Sequence, residues 1–374
     1  MGGKTILFVL ENYFPHVGGV EILFKNLCEG LVKKGHVINI VTHRLKDSLE
    51  YEVINGVNIH RVNCLHSRYL FTFMSIPKIL KVARDADIIH TTIFTAAPPA
   101  WLCSKLLRKK CILHVMEVWI DKWNVLTDMP KFKAGIHNFL EKCIYMLPFN
   151  EYITISGSTQ KQLLDIGIHE EKTTIIYPGV DYNHWNPKKY DGDKIRTQLG
   201  IKNEFVYLFT GRPGVSKGLK YFLCAKPLIQ AKLKNSIAVC IVSNDIAYKH
   251  LREKIELGIR LYGGIILLDP VDYNDLPNYV KMADCVVVPS LAEGFGYTTA
   301  EACAMGKPVV GSNVGSIPEV ISGKYILTKP KNECSIARGV LDVVKKDYKK
   351  TKLKKFTTTK LINRTITLYN RMLK

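Results

Sequence analysis

The stretch CVVVPSLAEGFGYTTAEACA occupies residues 285–304. Its apolar run at 285–288 predicts a buried strand, the glycines that follow predict a loop, and Thr298 and Thr299 mark the beginning of a helix. Glycine lets the backbone approach a ligand closely, and the free N–H groups at a helix N-terminus favour an anion. The stretch therefore predicts a strand, loop and helix with a ligand site at the loop.

Two glutamates lie in this stretch. Glu293 falls in the predicted loop, and Glu301 falls one to two turns into the predicted helix. Two carboxylates so placed suit separate hydroxyl groups of one sugar-bearing ligand. The alternative is an ordinary turn between strand and helix, with a solvated glutamate.

Short apolar runs alternate with helical patterns along almost the whole chain. The runs lie at 5–10, 37–41, 88–91, 112–116, 152–155, 205–209, 237–242, 265–268, 285–288 and 308–310. Such alternation predicts parallel, doubly wound sheets with helices on both faces. Ligands of such sheets bind beyond the carboxyl ends of the strands.

The alternation lapses between residues 177 and 203, where the composition is that of a linker. We therefore predict one Rossmann-like domain at 1–184 and a second Rossmann-like domain at 185–355. Residues 356–374 have apolar side chains at helical spacing and predict a C-terminal helix.

A second candidate segment, TGRPGVSKG, spans residues 210–218 and follows the run at 205–209. Arg212 offers a forked guanidinium, Lys217 a compact ammonium, and the helix expected after Gly218 a free N-terminus. These three groups together suit a diphosphate. The alternative is a basic surface turn.

Two further segments are weaker. Gly18 and Gly19 lie between the first predicted strand and the first predicted helix, where the alternative is an ordinary turn. His114 begins the segment HVME at 114–117, which ends a predicted strand at 111–116, and from that position we expect it to face the ligand. A structural histidine is the alternative.

Composition narrows the class of protein. The chain has 374 residues, 47% of them hydrophobic, and a formal net charge of +20, which excludes a disordered protein and suits anionic partners. Its 10 cysteines form no C-x-x-C pair, so we expect a reducing, cytoplasmic compartment. No metal site is expected, because the His, Asp and Glu residues lack suitable spacing. The aromatic stretch at 69–74 and the basic residues Lys78, Lys81 and Arg84 suggest a peripheral contact with an anionic membrane. The alternative is a packed helix with a solvated basic side.

Taken together, these segments resemble the retaining, nucleotide-sugar-dependent glycosyltransferases of family 4, which have the GT-B fold. The resemblance covers nearly the whole chain. It is found in GGVE at 18–21, DIIH at 87–90, His114, TIS at 154–156, YPGVD at 177–181, Gly211-Arg212 with Lys217-Gly218, the E-x7-E element from Glu293 to Glu301, and GKPVV at 306–310. It implies two facing Rossmann-like domains, an acceptor-side domain at 1–184 and a nucleotide-sugar-binding domain at 185–355. It also implies that the C-terminal helix at 356–374 crosses back to the first domain.

The resemblance also implies roles for individual residues. Arg212 and Lys217 match the pair that neutralises the donor diphosphate, and Glu301 matches the glutamate that holds the ribose hydroxyls. Glu293 matches the glutamate beside the donor sugar. The remaining matches are the backbone of Gly294, Phe295 and Gly296 near the sugar hydroxyls, Gly18 and Gly19 over the phosphates, and His114 near the reacting centre.

The implied activity is metal-independent, front-face transfer of a hexosyl unit with retention, from a UDP- or GDP-linked sugar to a glycan or lipid-linked glycan. No cofactor beyond this substrate is expected. The loops at 243–245 and 269–270 depart from the family pattern near the nucleotide base, so the base stays open. The alternatives are a nucleotide-sugar epimerase or hydrolase of the same fold and a basic nucleic-acid-binding protein. The second rests only on charge, such as the eleven Lys and Arg residues in 345–374, without a recognised motif, and we expect no nucleic-acid partner.

Overall fold

A computed structural model describes residues 3–16, 18–65, 67–243, 253, 255, 256, 259 and 263–374. The chain divides into two compact units. Unit 1 comprises Met1–Trp123, Lys131–Gly179 and Phe356–Lys374, and unit 2 comprises Asn124–Pro130 and Val180–Lys355. The boundary predicted from the sequence lies a few residues later, after residue 184.

Unit 1 contains an eight-stranded sheet. Its strands are β1 (Thr5–Val9), β2 (Val37–His43), β3 (Tyr51–Ile54), β4 (Val57–Val62), β5 (Ile88–Thr92), β6 (Lys110–Val115), β7 (Glu151–Thr154) and β8 (Thr173–Ile175). Their spatial order is β3-β4-β2-β1-β5-β6-β7-β8. All neighbours are parallel except the pair β3 and β4, which forms an antiparallel edge. Parallel strands need both faces covered, and the apolar runs of the sequence supply residues for both faces.

Helices cover this sheet. They are α1 (Gly19–Val32), α2 (Phe71–Met74), α3 (Ile76–Ala83), α4 (Ala97–Leu106), α6 (Lys131–Met146), α7 (Gly157–Asp165) and α14 (Thr358–Met372), and a short helix, α5 (Trp123–Leu126), lies where the chain leaves unit 1. Leu23, Leu27 and Leu31 of α1 are all buried, as their spacing of four residues predicts.

The C-terminal helix α14 packs on unit 1. A Cβ on Gly30 of α1 would lie 2.1 Å from Cδ1 of Ile362, so a larger residue at position 30 would require the Ile362 side chain of α14 to move. Arg371 donates to the buried carboxylate of Glu151 over 2.7 Å. The predicted return of this helix to the first domain is confirmed.

Unit 2 contains a seven-stranded sheet. Its strands are β9 (Phe205–Gly211), β10 (Ser236–Val242), β11 (Ile265–Leu268), β12 (Cys285–Val288), β13 (Val309–Ser312), β14 (Lys324–Thr328) and β15 (Lys349–Lys350), in the order β11-β10-β9-β12-β13-β14-β15. All pairs are parallel except β14 with β15. Its helices are α8 (Gly192–Gln198), α9 (Leu219–Lys232), α10 (Leu276–Met282), α11 (Tyr297–Ala304), α12 (Ile317–Val320) and α13 (Glu333–Val344).

The strand order of unit 2 reverses between β9 and β12. From β9 the chain proceeds to β10 and β11 on one side, and it then crosses to β12 and β13 on the other. Such a reversal leaves a crevice at the carboxyl ends of the two central strands, and this is where open α/β sheets bind ligands. The predicted doubly wound fold is confirmed, and it brings the loops after β9 and β12 side by side. Among the described residues, no helix is both long enough and apolar enough to span a bilayer.

Candidate functional site

The loops that follow β9 and β12 are hydrogen-bonded to each other. The backbone N–H of Leu291 donates to the carbonyl of Ser216 over 2.7 Å. Gly218 has a φ of +69°, and a Cβ on it would lie 2.0 Å from the carbonyl oxygen of Pro289. Only glycine fits both the conformation and the space, so the two strongest candidate segments form one site in unit 2.

An ion pair joins the charged residues of these loops. Nζ of Lys217 lies 3.0 Å from Oε1 and 2.8 Å from Oε2 of Glu293. The hydroxyl of Ser290 also donates to Oε2, over 3.1 Å. The side chain of Glu293 is only 12% exposed and that of Lys217 30%, so both are partly desolvated. The pair therefore holds an ammonium and a carboxylate in fixed positions at the mouth of the crevice.

Arg212 lies at the end of the same strand, one residue past β9. Its side chain is exposed, and it forms no ion pair with any residue that the structure describes. The guanidinium is consequently hydrated and free to turn towards an anion. Of the two predicted cations, the structure therefore places only Lys217, and not Arg212, in contact with Glu293.

Two helices begin at this site without a side-chain cap. Gly218 precedes α9 and Gly296 precedes α11, both in the left-handed conformation. Uncapped N-termini leave backbone N–H groups for an external partner, and the helix dipole favours a negative charge there. Together with Lys217, they make the carboxyl ends of β9 and β12 suitable for a phosphate group.

Glu301 lies on α11 with its carboxylate buried. Burial raises the pKa of this carboxyl to about 8, while a hydrogen bond from the hydroxyl of Tyr273 acts to lower it. That hydroxyl lies 3.5 Å from Oε1 of Glu301 and accepts a hydrogen bond from Nε1 of Trp185 over 3.1 Å. A buried carboxyl with one long hydrogen bond retains acceptor capacity for further donors, such as a pair of hydroxyls.

An aromatic group that the sequence did not reveal surrounds Glu301. The ring of His184 stacks on that of Tyr273 with centroids 4.9 Å apart, and Trp185 packs against Tyr273 at its edge. Residues 184 and 185 fall in the segment interpreted as a linker. The only signal was a tryptophan in an otherwise polar stretch, and its partner Tyr273 is 88 residues away.

The backbone near Glu293 is tightly packed. Phe295 is buried and its ring meets that of Tyr297 with centroids 5.2 Å apart. Gly315 lies beside the chain at Glu293, and the backbone N–H of Ser316 donates to the carbonyl of Glu293 over 3.1 Å. The loop of residues 293–296, which includes Gly294, is therefore hydrogen-bonded to the loop that contains Gly315 and Ser316. It is not an isolated surface turn.

In unit 1, Gly18 and Gly19 open helix α1, as predicted. Gly18 is the N-cap of α1, with no side-chain cap, and Gly19 is the first helical residue. The carboxylate of Glu21 lies over this end, because a Cβ on Gly18 would be 2.6 Å from its Oε2, and the same carboxylate contacts Nδ1 of His16 at 3.0 Å.

His114 does not lie where we expected. It is completely buried on β6, with its Nδ1 3.1 Å from Nε2 of His90 and its ring edge-on to Phe24. Burial lowers its pKa to about 3, so the imidazole is neutral. We expected His114 to contact a ligand directly, because it lies near the end of a strand. In the structure it faces the helices that cover the sheet instead. Nδ1 of His90 in turn lies 2.6 Å from the hydroxyl of Tyr369 on α14.

The loops expected near the nucleotide base are only partly described. Asn244 and Asp245 lie outside the described residues, and Asp269 and Pro270 follow β11. Among the described residues, no three His, Cys, Asp or Glu side chains are grouped so as to hold a metal ion.

A substitution at Gly315 tests how tightly this residue packs against the backbone of Glu293. Its φ is +50°, and a Cβ would lie 2.3 Å from the carbonyl oxygen of Glu293. We expect Gly315→Ala to lower the free energy of unfolding by about 3 kcal/mol, since it adds overpacking to the cost of a left-handed alanine. Gly306→Ala is the matched control, because Gly306 has a φ of +69° but open space around its Cβ position. Its expected cost is about 1 kcal/mol. Equal losses in chemical denaturation of the two variants would contradict the tight contact at Glu293.

Comparison with known proteins agrees with this geometry. The model of the family described as Glycosyl transferases group 1 matches residues 191–360, and that of Glycosyltransferase Family 4 matches residues 17–184. An uncharacterized glycosyltransferase of Methanocaldococcus jannaschii is 31% identical over 367 residues, covering 90% of this chain and 87% of that protein.

A further relative and a solved structure extend the comparison. The UDP-Gal:alpha-D-GlcNAc-diphosphoundecaprenol alpha-1,3-galactosyltransferase of Escherichia coli is 26% identical over 246 residues, covering 65% of this chain and 62% of that protein. The solved structure of Anabaena HepE in complex with UDP-glucose has a TM-score of 0.76 at 18% identity, covering 98% of this chain and 100% of that one, which is a likeness of fold. The chain therefore belongs to the group 1 glycosyltransferases and is a transferase with the GT-B fold.

Proposed function

We propose that the chain transfers a hexosyl unit from a nucleoside-diphosphate sugar to an acceptor hydroxyl, with retention of configuration and without a metal ion. The observation that supports this most directly is the Lys217–Glu293 ion pair between the two uncapped helix N-termini. The cation and the N–H groups suit the diphosphate, and the carboxylate suits a sugar hydroxyl. HepE, which shares the fold, forms a complex with UDP-glucose, and this supports a donor of the same class.

The charges of the site explain how transfer is accelerated. Cleavage of the anomeric C–O bond leaves an oxocarbenium-like sugar and a nucleoside diphosphate that gains negative charge. Lys217, Arg212 and the N-termini of α9 and α11 provide positive potential where that charge develops. Because this potential is in place before reaction, it stabilises the transition state more than the ground state. A divalent cation is then not needed to neutralise the leaving group.

The stereochemical proposal is front-face attack. The acceptor oxygen bonds to the anomeric carbon on the face from which the diphosphate leaves, and the acceptor proton passes to the departing phosphate oxygen. Glu293 is paired with Lys217, and we assign it the positioning of a sugar hydroxyl rather than the role of a covalent nucleophile. With His114 buried, we assign it and His90 the task of fixing β5 and β6 rather than contact with the sugar.

The acceptor is a glycan or a lipid-linked glycan. The similarity to an enzyme whose name specifies a diphosphoundecaprenol-linked acceptor favours the lipid-linked class. The basic character of the chain, with a formal net charge of +20, is compatible with an acceptor presented at an anionic membrane.

A thermal-shift panel tests the donor class and the metal independence together. UDP, GDP, ADP and their sugars are added to the full chain, once with EDTA and once with Mn²⁺. We expect one nucleotide series to stabilise the protein equally under both conditions, by roughly 2.7 kcal/mol at a concentration of 100 Kd. Absence of any shift would contradict the nucleotide-sugar proposal, and a shift that requires Mn²⁺ would contradict metal independence.

Incubation of the stabilising donor without an acceptor separates the alternatives. A transferase is expected to return unchanged donor with slow hydrolysis, whereas an epimerase would yield a second nucleotide sugar. The sugar released by hydrolysis should initially have the same anomeric configuration as the donor, as followed by proton NMR. Initial inversion would contradict front-face transfer.

A further inference from the structure

Helix α6 of unit 1 has two apolar faces. Ala134, Ile144 and Tyr145 point inward and are buried, which is sufficient to dock the helix on the sheet. On the other side, Phe132 is 79% exposed and Phe139 is 66% exposed. A helix packed on a sheet normally presents polar and charged residues to solvent, so bulky apolar side chains on its outer face are unusual.

The outer residues follow a single stripe. Phe132, Ile136, Phe139 and Leu140 are exposed and lie at i, i+4, i+7 and i+8, which is the spacing of one helix face. Met146 extends the stripe by nearly two further turns and is 81% exposed. The stripe therefore presents bulky apolar side chains along most of α6.

The segment that leads into α2 lies beside this stripe. The hydroxyl of Tyr69 is 3.1 Å from Nε2 of His137 on α6, and the two rings meet edge to face. Phe73, on α2, is 69% exposed. Phe71 of α2 and Ile144 of α6 belong to the same buried cluster, so both helices cover the same face of the sheet. We call the exposed residues Tyr69, Phe73, Phe132, Ile136, Phe139 and Leu140 the outer patch.

Exposed aromatic residues are concentrated here. The exposed phenylalanines among the described residues are Phe73, Phe132 and Phe139, and all three belong to the outer patch. In unit 2, by contrast, the large exposed hydrophobic residues of the described chain are the aliphatic residues Val125, Leu228 and Val344. A contiguous cluster of this kind on one face marks an interaction surface, whereas single exposed residues do not.

The charges around the outer patch are positive. Lys131, Lys133 and Lys142 of α6 are exposed, and only Lys142 forms an ion pair with a described residue, Asp121. The sole acid of α6, Glu141, is buried and accepts hydrogen bonds from Trp119 and Trp123. The outer side of α6 thus combines apolar side chains with uncompensated lysines.

We propose that the outer patch inserts into the surface of an anionic lipid bilayer, with Lys131 and Lys133 at the level of the headgroups. An amphipathic helix that lies in the interface presents just this combination of bulky apolar and basic residues. The lysines and the net charge of +20 complement anionic headgroups. This proposal rests on the proposed function, which includes a lipid-linked acceptor. It assigns the binding to the membrane to α6.

Sedimentation with vesicles tests the proposal on the full chain. We expect binding to phosphatidylcholine vesicles that contain about one quarter phosphatidylglycerol, and at least tenfold weaker binding to pure phosphatidylcholine. The double variant Phe132→Ser/Phe139→Ser should bind the anionic vesicles at least tenfold more weakly. Lys131→Glu/Lys133→Glu should lose the preference for anionic lipid, and high salt should have the same effect on the parent chain.

The matched control is Val53→Ser/Leu228→Ser. It removes two exposed aliphatic residues, one on β3 and one on α9, that lie outside the outer patch, and it should bind like the parent chain. All the variants should keep the thermal shift with the nucleotide, which separates loss of docking from loss of the donor site.

Four outcomes would overturn the proposal: no binding of the parent chain, equal binding to neutral and anionic vesicles, parent-like binding of the double phenylalanine variant, or an equal loss in the control. A fifth outcome that would overturn the proposal is measured by light scattering. A dimer that the double variant dissociates, without vesicle binding by the parent, would assign the outer patch to a second copy of this chain.

Discussion

Replacement of Lys217 by alanine is expected to lower kcat by about 100-fold, with little change in the fold. The ammonium lies at the end of β9, where we propose that the diphosphate departs, and its loss removes one charged donor from the transition state. It also leaves the carboxylate of Glu293, which is 12% exposed, without its cationic partner. That carboxylate then repels the leaving group, so the effect exceeds the loss of one hydrogen bond. Steady-state kinetics at saturating donor give the measurement.

Lys220→Ala is the matched control for this variant. Lys220 is an exposed residue in the first turn of α9, three residues beyond Lys217, and forms no ion pair with a described residue. It should retain the parent kcat. Arg212→Ala should lower kcat at least tenfold, by the same electrostatic argument. A parent-like kcat for Lys217→Ala at saturating donor would remove Lys217 from the mechanism, and an equal loss in Lys220→Ala would reduce its role to general surface charge.

The central strands could be predicted because their residues are apolar on both faces. A strand such as β1 or β12 is buried on both sides, and its run of β-branched and aliphatic residues reports this directly. The strands that the apolar runs missed gave no such signal. β3 has two exposed residues in four, and β14 begins at an exposed lysine. β3 pairs with β4 across the two-residue turn at 55–56, and β14 lies between β13 and β15.

The loops of the candidate site could be predicted in part. The glycine after the apolar run has a local cause, since Gly218 adopts a φ of +69°, a backbone conformation that favours glycine. The ion pair of Lys217 with Glu293 joins residues 76 positions apart, and the sequence predicted each end but not the bond. It follows from the strand order, which places β9 beside β12.

His114 shows where reasoning from position fails. A residue near the carboxyl end of a strand points either to a ligand or to the covering helices, and one sequence does not distinguish the two. Here Phe24 of α1 and His90 of β5 enclose the ring. The resulting chain from Tyr369 through His90 to His114 depends on the C-terminal helix, 279 residues beyond His90.

Glu301 should make donor binding depend on pH. Burial raises the pKa of this carboxyl to about 8, so it is mostly protonated at neutral pH. If the ribose hydroxyls donate to it, binding favours the carboxylate and releases a proton. We expect the affinity for the nucleotide sugar to rise between about pH 6 and 8 and then to level off. Calorimetry in buffers of different ionisation enthalpy measures the released proton directly.

Glu301→Gln should abolish both the proton release and the rise in affinity with pH. Above pH 8 it should lower the affinity for the donor by about 10- to 100-fold, because it removes one charged hydrogen bond. Tyr273→Phe should move the midpoint of the rise in affinity to higher pH, because the hydroxyl of Tyr273 acts to lower the pKa of Glu301.

The stability of the fold changes with pH in the opposite direction to the affinity for the donor. The folded pKa exceeds the unfolded value of 4.5, so the parent chain loses stability as pH rises from about 4.5 to 8, and Glu301→Gln should lack this loss. A parent affinity that is flat with pH, or proton release that persists in Glu301→Gln, would show that the ribose hydroxyls are held elsewhere.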